Sequence, residues 1–172
     1  MLVMKLLDYI RRGDYSELDD LPLGRKMEFY SYDREIARVI NEFFAQEPEP
    51  MLIEQQDFER VFEKFEHCVI GELVTQLGVD DMVEMIKSRQ FRTTIPSNPS
   101  MVSLCIEFSD EKDATCDNAM KVLQAVSEIG ATGGVCWGTR INPSLSGNGC
   151  KILILTDIPD DYIGPALYEC HL

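Results

Sequence analysis

Basic residues are scarce in this sequence. Across 172 residues, 16 Lys and Arg face 30 Asp and Glu, for a net charge of −14. Residues 1–100 hold 12 basic against 20 acidic side chains and residues 101–172 hold 4 against 10, so the acidity is shared by both halves. A surface of that sign repels phosphate backbones and argues against nucleic-acid binding as a main role. Solubility, or life in a salty cytoplasm, accounts for it more simply. Histidine occurs twice, as His67 and His171, and neither adjoins a nucleophile motif; there is no G-x-S-x-G elbow. No apolar run approaches the roughly 20 residues that span a bilayer. The opening MLVMKLLDYIRRGD turns charged too soon for a signal peptide and lacks a small-residue cleavage site. The expected compartment is the cytoplasm, with no membrane partner.

The six cysteines (Cys68, Cys105, Cys116, Cys136, Cys150 and Cys170) include no C-x-x-C pair, and four fall inside apolar patterns. They read as small buried hydrophobes, with no disulfide framework. Two of them with His67 and His171 are the one metal-ligand combination available, and no short-spaced pair seeds it. No metal and no cofactor is expected.

What is present is a unit near the C-terminus. Residues 101–108 (MVSLCIEF) are too apolar for a strand wet on one face, so this strand is expected to be central and covered on both sides. Ser109 or Asp110 is positioned to cap a following helix, with Cys116, Ala119, Met120, Leu123, Val126 and Ile129 as its buried stripe and Gly130 as its stop. A right-handed crossover then sets residues 135–141 parallel to the first strand. The loop NPSLSGNG reverses the chain into residues 150–157, antiparallel to their predecessor. The three strands are expected to share one sheet, with Cys136 and Ile154 in adjacent elements and Leu153 and Val135 shielded from water.

Ahead of that unit the periodicity is helical. Residues 2–12 carry Leu2, Leu6, Tyr9 and Ile10 at helical spacing. A second helix is expected from about Ser31–Asp33 to Ala45, with Ile36, Val39, Ile40, Phe43 and Phe44 as its apolar face. A third is expected over residues 55–77, from Phe58, Val61, Phe62, Phe65, Val69, Leu73 and Leu77, with His67 in its middle. Asp80 caps a short fourth helix through Met82, Val83 and Ile86. TTIPSNPS connects the two halves. The expected architecture is therefore α+β. A helical region, residues 1–98, packs on one face of a small mixed sheet, and residues 99–172 supply the strand–helix–strand–strand unit with its own helix on the other face.

Gly130, Gly133 and Gly134 sit between helix and strand, the reverse of the order that converges amides on a phosphate, and no G-K-[ST] follows. Arg140 is the sole arginine after Arg92, at the end of a strand in an acidic half; Trp137 is the lone tryptophan and reads as a core anchor.

VSLCIEF, DNAMKVLQAVSEIG, ATGGVCWGTRINPSLSG and CKILILTDI together resemble the end of the C-terminal domain in the tubulin/FtsZ superfamily, over about residues 101–158. Trp137-Gly138, Leu145 and Thr156 fall where that pattern places an aromatic–Gly pair, a Leu-containing turn and a strand-ending Thr. The superfamily's G-G-T-G-[ST]-G nucleotide loop has no counterpart in residues 1–100, and Val79-Asp80-Asp81 does not stand in for its loop of catalytic carboxylates. The GTPase activity therefore does not carry over. What the resemblance implies is a protein–protein surface, because that domain contacts the next subunit in a filament.

The leading expectation is a non-enzymatic interaction or assembly module, self-associating or binding a protein partner through Trp137, Arg140, Asn142 and Leu145. The alternative is an α+β protein or enzyme binding a small molecule or anion between the helical half and the sheet, with Arg140 and some of Asp80, Asp81 and Glu107 as its polar groups.

Overall fold

The computed structural model describes residues 24–45, 54–145 and 147–160. The helix expected over residues 2–12 and the C-terminal Cys170 and His171 lie outside them. In chain order the elements are β1 (Arg25–Tyr30), α1 (Asp33–Ala45), α2 (Gln55–Lys64), β2 (Cys68–Thr75), α3 (Val79–Lys87), α4 (Arg89–Thr94), β3 (Val102–Phe108), α5 (Cys116–Ser127), β4 (Val135–Ile141) and β5 (Cys150–Asp157). The fold is α+β, with one five-stranded mixed sheet in the order β1-β2-β5-β3-β4. β3 and β4 pair in parallel and every other neighbour is antiparallel.

Several expectations change here. Residues 68–75 are a strand, not the second half of a long helix. Phe65 turns extended and ends α2, which leaves His67 in the loop before β2. CVIGELVT is rich in β-branched residues and carries a glycine in its middle, both of which favour a strand over a helix. Gly71 faces Phe29 across the β1–β2 ladder, and a Cβ there would lie 2.8 Å from the Phe29 ring. Because β2 is buried on nearly every side chain, its apolar run imitates a buried helix. Residues 25–30, where no helix or strand is expected from the sequence, form the edge strand β1. Strands from before residue 98 thus complete the sheet.

The second change concerns pairing. β5 returns to the far side of β3, so β3 separates Cys136 in β4 from Ile154 in β5. This gives β3 partners on both edges, matching its uniformly buried VSLCIEF. Leu153 is fully buried and Val135 half-buried.

Alternation along the strands divides the core in two. Met27, Phe29, Leu73, Leu104, Ile106 and Ile152 face α3, α4 and α5. Ile70, Cys105, Leu153 and Leu155 face α1 and α2, which bring Ile36, Ile40, Phe43, Phe58 and Val61. Three helices, not one, cover the first face, because the short helix expected at residues 80–86 packs beside α5.

Thr115, rather than Ser109 or Asp110, caps α5, accepting the Asn118 amide at 3.1 Å. The stripe of α5 against the sheet is Ala119, Val122, Ala125 and Val126; Cys116 and Met120, expected inside, are exposed. Leu77, expected on a buried helix face, is 58% exposed in the turn after β2. The connector is pinned rather than free, since the Asn98 amide donates to the Ile129 carbonyl at 2.7 Å and the Met101 amide to Asp157 Oδ1 at 2.8 Å.

Candidate interaction surface

β4 is the edge of the sheet, and among the described residues no strand pairs with its outer side. The Asn142 amide donates to the Phe108 carbonyl of β3 at 2.8 Å. Backbone groups alternate sides along a strand, so those of residues 136, 138 and 140 also turn to β3, and those of Val135, Trp137, Thr139 and Ile141 turn outward. Side chains alternate between faces in the same way. Trp137 is half-buried against the core beneath α5, and Cys136 is exposed on the opposite face.

Arg140 shares the face of Cys136, yet it is 3% exposed and points inward. Register sets Glu107 of β3 directly between Arg140 and Lys151. Arg140 Nε donates to Glu107 Oε1 at 2.6 Å, and its Nη2 pairs with the same carboxylate. Asn142 Nδ2 donates to Glu107 Oε2 at 2.7 Å. Phe43 of α1 lies over the guanidinium, 3.7 Å from ring centroid to Cζ, and 5.3 Å from the Lys151 ammonium. Lys151 in turn pairs with Glu72 at 2.6 Å. A row of alternating charges thus crosses the sheet beneath an aromatic lid, and paired charges are what makes such burial tolerable.

This network positions the loop after β4. Asn142, held by Glu107, accepts the Ser144 amide through its side chain at 3.0 Å and the Leu145 amide through its carbonyl at 3.1 Å. Ser109 Oγ donates to the Gly147 carbonyl at 2.7 Å and ties the loop to the end of β3. Leu145 is half-buried on it.

Of the residues expected to meet a partner, then, Trp137, Asn142 and Leu145 reach the surface of the β4 edge and its loop, while Arg140 is committed to Glu107 inside. The cleft of the alternative reading does not assemble. Arg140 and Glu107 lie on the α1–α2 face, whereas Asp81 lies at the start of α3 on the other. There Arg25 Nε donates to Asp81 Oδ2 at 2.8 Å and Thr75 Oγ1 to the same oxygen at 2.5 Å. The bond from Arg25, more than the opposing desolvation, holds the Asp81 carboxyl below its ordinary value. Asp80 meets Lys121 at 3.3 Å, at the mouth of an open groove of about 500 Å³ between α3 and α5. That groove mixes Asp80, Glu84 and Glu128 with Lys87 and Lys121, so it has no dominant charge for one kind of ion. Among the described residues no group of three or more His, Cys, Asp or Glu is arranged to hold a metal, and no helix is long and apolar enough to cross a membrane.

Sequence reasoning gave Phe43 only a place on an apolar helix face and passed over Glu72 and Lys151, because their joining Arg140 and Glu107 depends on cross-strand register and on which helix covers which face.

No protein-family model matches the chain, and no curated protein matches it. Solved structures do. An empty FtsZ dimer of M. jannaschii is similar with a TM-score of 0.54 and 15% identity, over 72% of this chain and 36% of that one. The fold is FtsZ-like. A tryptophan-to-tyrosine mutant of M. jannaschii FtsZ matches with a TM-score of 0.50 and 16% identity, over 71% of this chain and 38% of its own. The chain spans little more than a third of the length of these proteins. The likeness reaches beyond residues 101–158, since 72% of the chain takes in elements before β3 as well. At such identities what is shared is the fold.

Proposed function

We propose that this protein is a non-catalytic interaction module that docks a protein partner, another copy or an FtsZ-type protein, along β4 and the loop that follows it. One observation carries the reading. β4 is a seven-residue edge strand with no charged guard, because its single charge, Arg140, is turned inward onto Glu107. Edge strands are ordinarily blunted by Lys, Pro or a bulge, and an unblunted one is a template for another strand. β1, the opposite edge, carries Arg25, Lys26 and Glu28. The buried charges on the α1–α2 face satisfy one another, which leaves that network to position the surface rather than to bind a ligand.

The test adds the missing guard. Cys136→Lys puts a cation on an exposed position of the edge and removes no core contact. The variant should keep its circular dichroism spectrum and lose binding, both to itself in sedimentation and to purified FtsZ of the same organism in titration. Unchanged binding would reject the docking surface. A large thermal shift produced by a nucleotide, an anion or a divalent metal would replace the interaction reading with a ligand-binding one.

A further inference from the structure

Taking the docking reading as its starting point, we infer that the partner is a second copy of this chain, paired antiparallel along β4 about a two-fold axis at Gly138, with α5 packed against its equivalent.

The strand is self-complementary in that register. A two-fold at Gly138 sets Trp137 against Thr139 of the second copy and Val135 against Ile141, and these are the residues whose backbone groups turn outward. They form the hydrogen-bonded pairs of an antiparallel ladder, while Gly138 meets Gly138 at the close, non-bonded site. On one face a large ring lies beside a small β-branched side chain, a favourable cross-strand pair. On the other, Cys136 lies opposite the inward-turned Arg140. No two like charges oppose each other along the strand.

A second observation is independent of the strand. Toward α3 the helix α5 presents Lys121, Gln124 and Glu128, and toward the sheet Ala119, Val122 and Val126. At 3.6 residues per turn this leaves Cys116, Met120, Leu123 and Ser127 on the flank away from α3. Since α3 packs over β2 and β5 and α5 packs on β4, that flank faces the side of β4 that no strand pairs with among the described residues. It carries no charge, and Met120 on it is 50% exposed. Centred on the seam of the two strands it connects, as a crossover helix packs back onto its sheet, α5 would lie one strand spacing from the proposed axis. The two copies of α5 would then run about 10 Å apart, from strand spacings of about 4.8 Å, which is helix-packing distance. Met120 and Leu123 fill that seam.

The experiment is sedimentation equilibrium of the full chain over a range of concentrations, at about 0.15 M and about 1 M salt. Each copy carries −14, so a dimer held by backbone and apolar contact tightens with salt, the opposite of one held by ion pairs. Met120→Glu should raise the dimer dissociation constant by at least about tenfold. Leu77→Glu, at the other large hydrophobic exposed among the described residues, in the turn after β2 and three strand positions across the sheet from β4, should leave it unchanged. With Cys116 and Cys170 changed to Ser, a thiol cross-linker should join Cys136 to its equivalent, set four residues away along the ladder or about 13 Å. A chain monomeric at every concentration overturns the pairing, as does a dimer indifferent to Met120→Glu or weakened by salt. If the monomer still binds FtsZ and Cys136→Lys abolishes that, only the self-pairing falls; a monomer that binds nothing takes the docking reading with it.

Discussion

Replacing Arg140 with Ala tests the organisation of the sheet more directly than any surface change. Glu107 is 0% exposed and Arg140 3%, so removing the arginine strands a carboxylate where water does not reach. Breaking a buried pair from one side costs about 3–5 kcal/mol, and loss of the guanidinium from the face of Phe43 adds about 1 kcal/mol. Set against a total stability of roughly 5–15 kcal/mol, that is a large fraction. At about 2–4 °C per kcal/mol for a chain of this size, the melting temperature should fall by roughly 8–24 °C. Removing both partners behaves differently. Arg140→Met with Glu107→Leu leaves no stranded charge, and such replacements are near neutral or stabilising. Asn142 Nδ2 then loses its acceptor, a loss of about 1 kcal/mol. Urea unfolding followed by circular dichroism measures all three proteins. The reasoning is refuted if Arg140→Ala costs less than about 1 kcal/mol, or if the double variant is as unstable as the single one.

Two more outcomes follow from the same geometry. Asp81 and Glu35 should respond to acid in opposite directions. The hydrogen bond from Arg25 depresses the folded-state pKa of Asp81, so its contribution is complete above the ordinary carboxylate range and is lost as pH falls through the depressed value. Asp81→Asn should therefore cost about 1 kcal/mol near pH 7, discounted for partial exposure, and nothing in strong acid. Burial raises the pKa of Glu35, so the charged form is unfavourable above that value. Glu35→Gln should raise the urea midpoint near neutrality and lose its advantage as pH falls. The thiols should also divide. Burial pushes Cys68, Cys105 and Cys150 up to about 12, whereas Cys116 and Cys136 are exposed. In the folded protein an alkylating reagent should modify the exposed two and spare the buried three until urea is added, as peptide mapping by mass spectrometry would show. Modification of Cys105 in the native state would contradict its place under α1 and α2.

Local pattern alone determined a good deal about this chain. The 3.6-residue recurrence of Ile36, Val39, Ile40 and Phe43 specifies α1, because a helix can bury that stripe on any apolar surface. β3, β4 and β5 were legible with nearly their observed bounds, and α5 as a helix whose start was placed at Ser109 or Asp110 rather than at Thr115; with them came the parallel β3–β4 crossover and the resemblance to the FtsZ fold. Tertiary structure decided the rest. Residues 68–75 carry an apolar run that either a helix or a doubly buried strand would satisfy, and pairing with β1 and β5 chose the strand. Which edge of β3 received β5 lay equally beyond local pattern, since hydrogen bonding along the backbone is blind to sequence separation. The candidate surface divides in the same way: Trp137, Asn142 and Leu145 stood out by type and place, while Arg140 reads as a surface charge until register sets Glu107 beside it. Charges buried in pairs are a property of two strands and a covering helix, and no single segment encodes them.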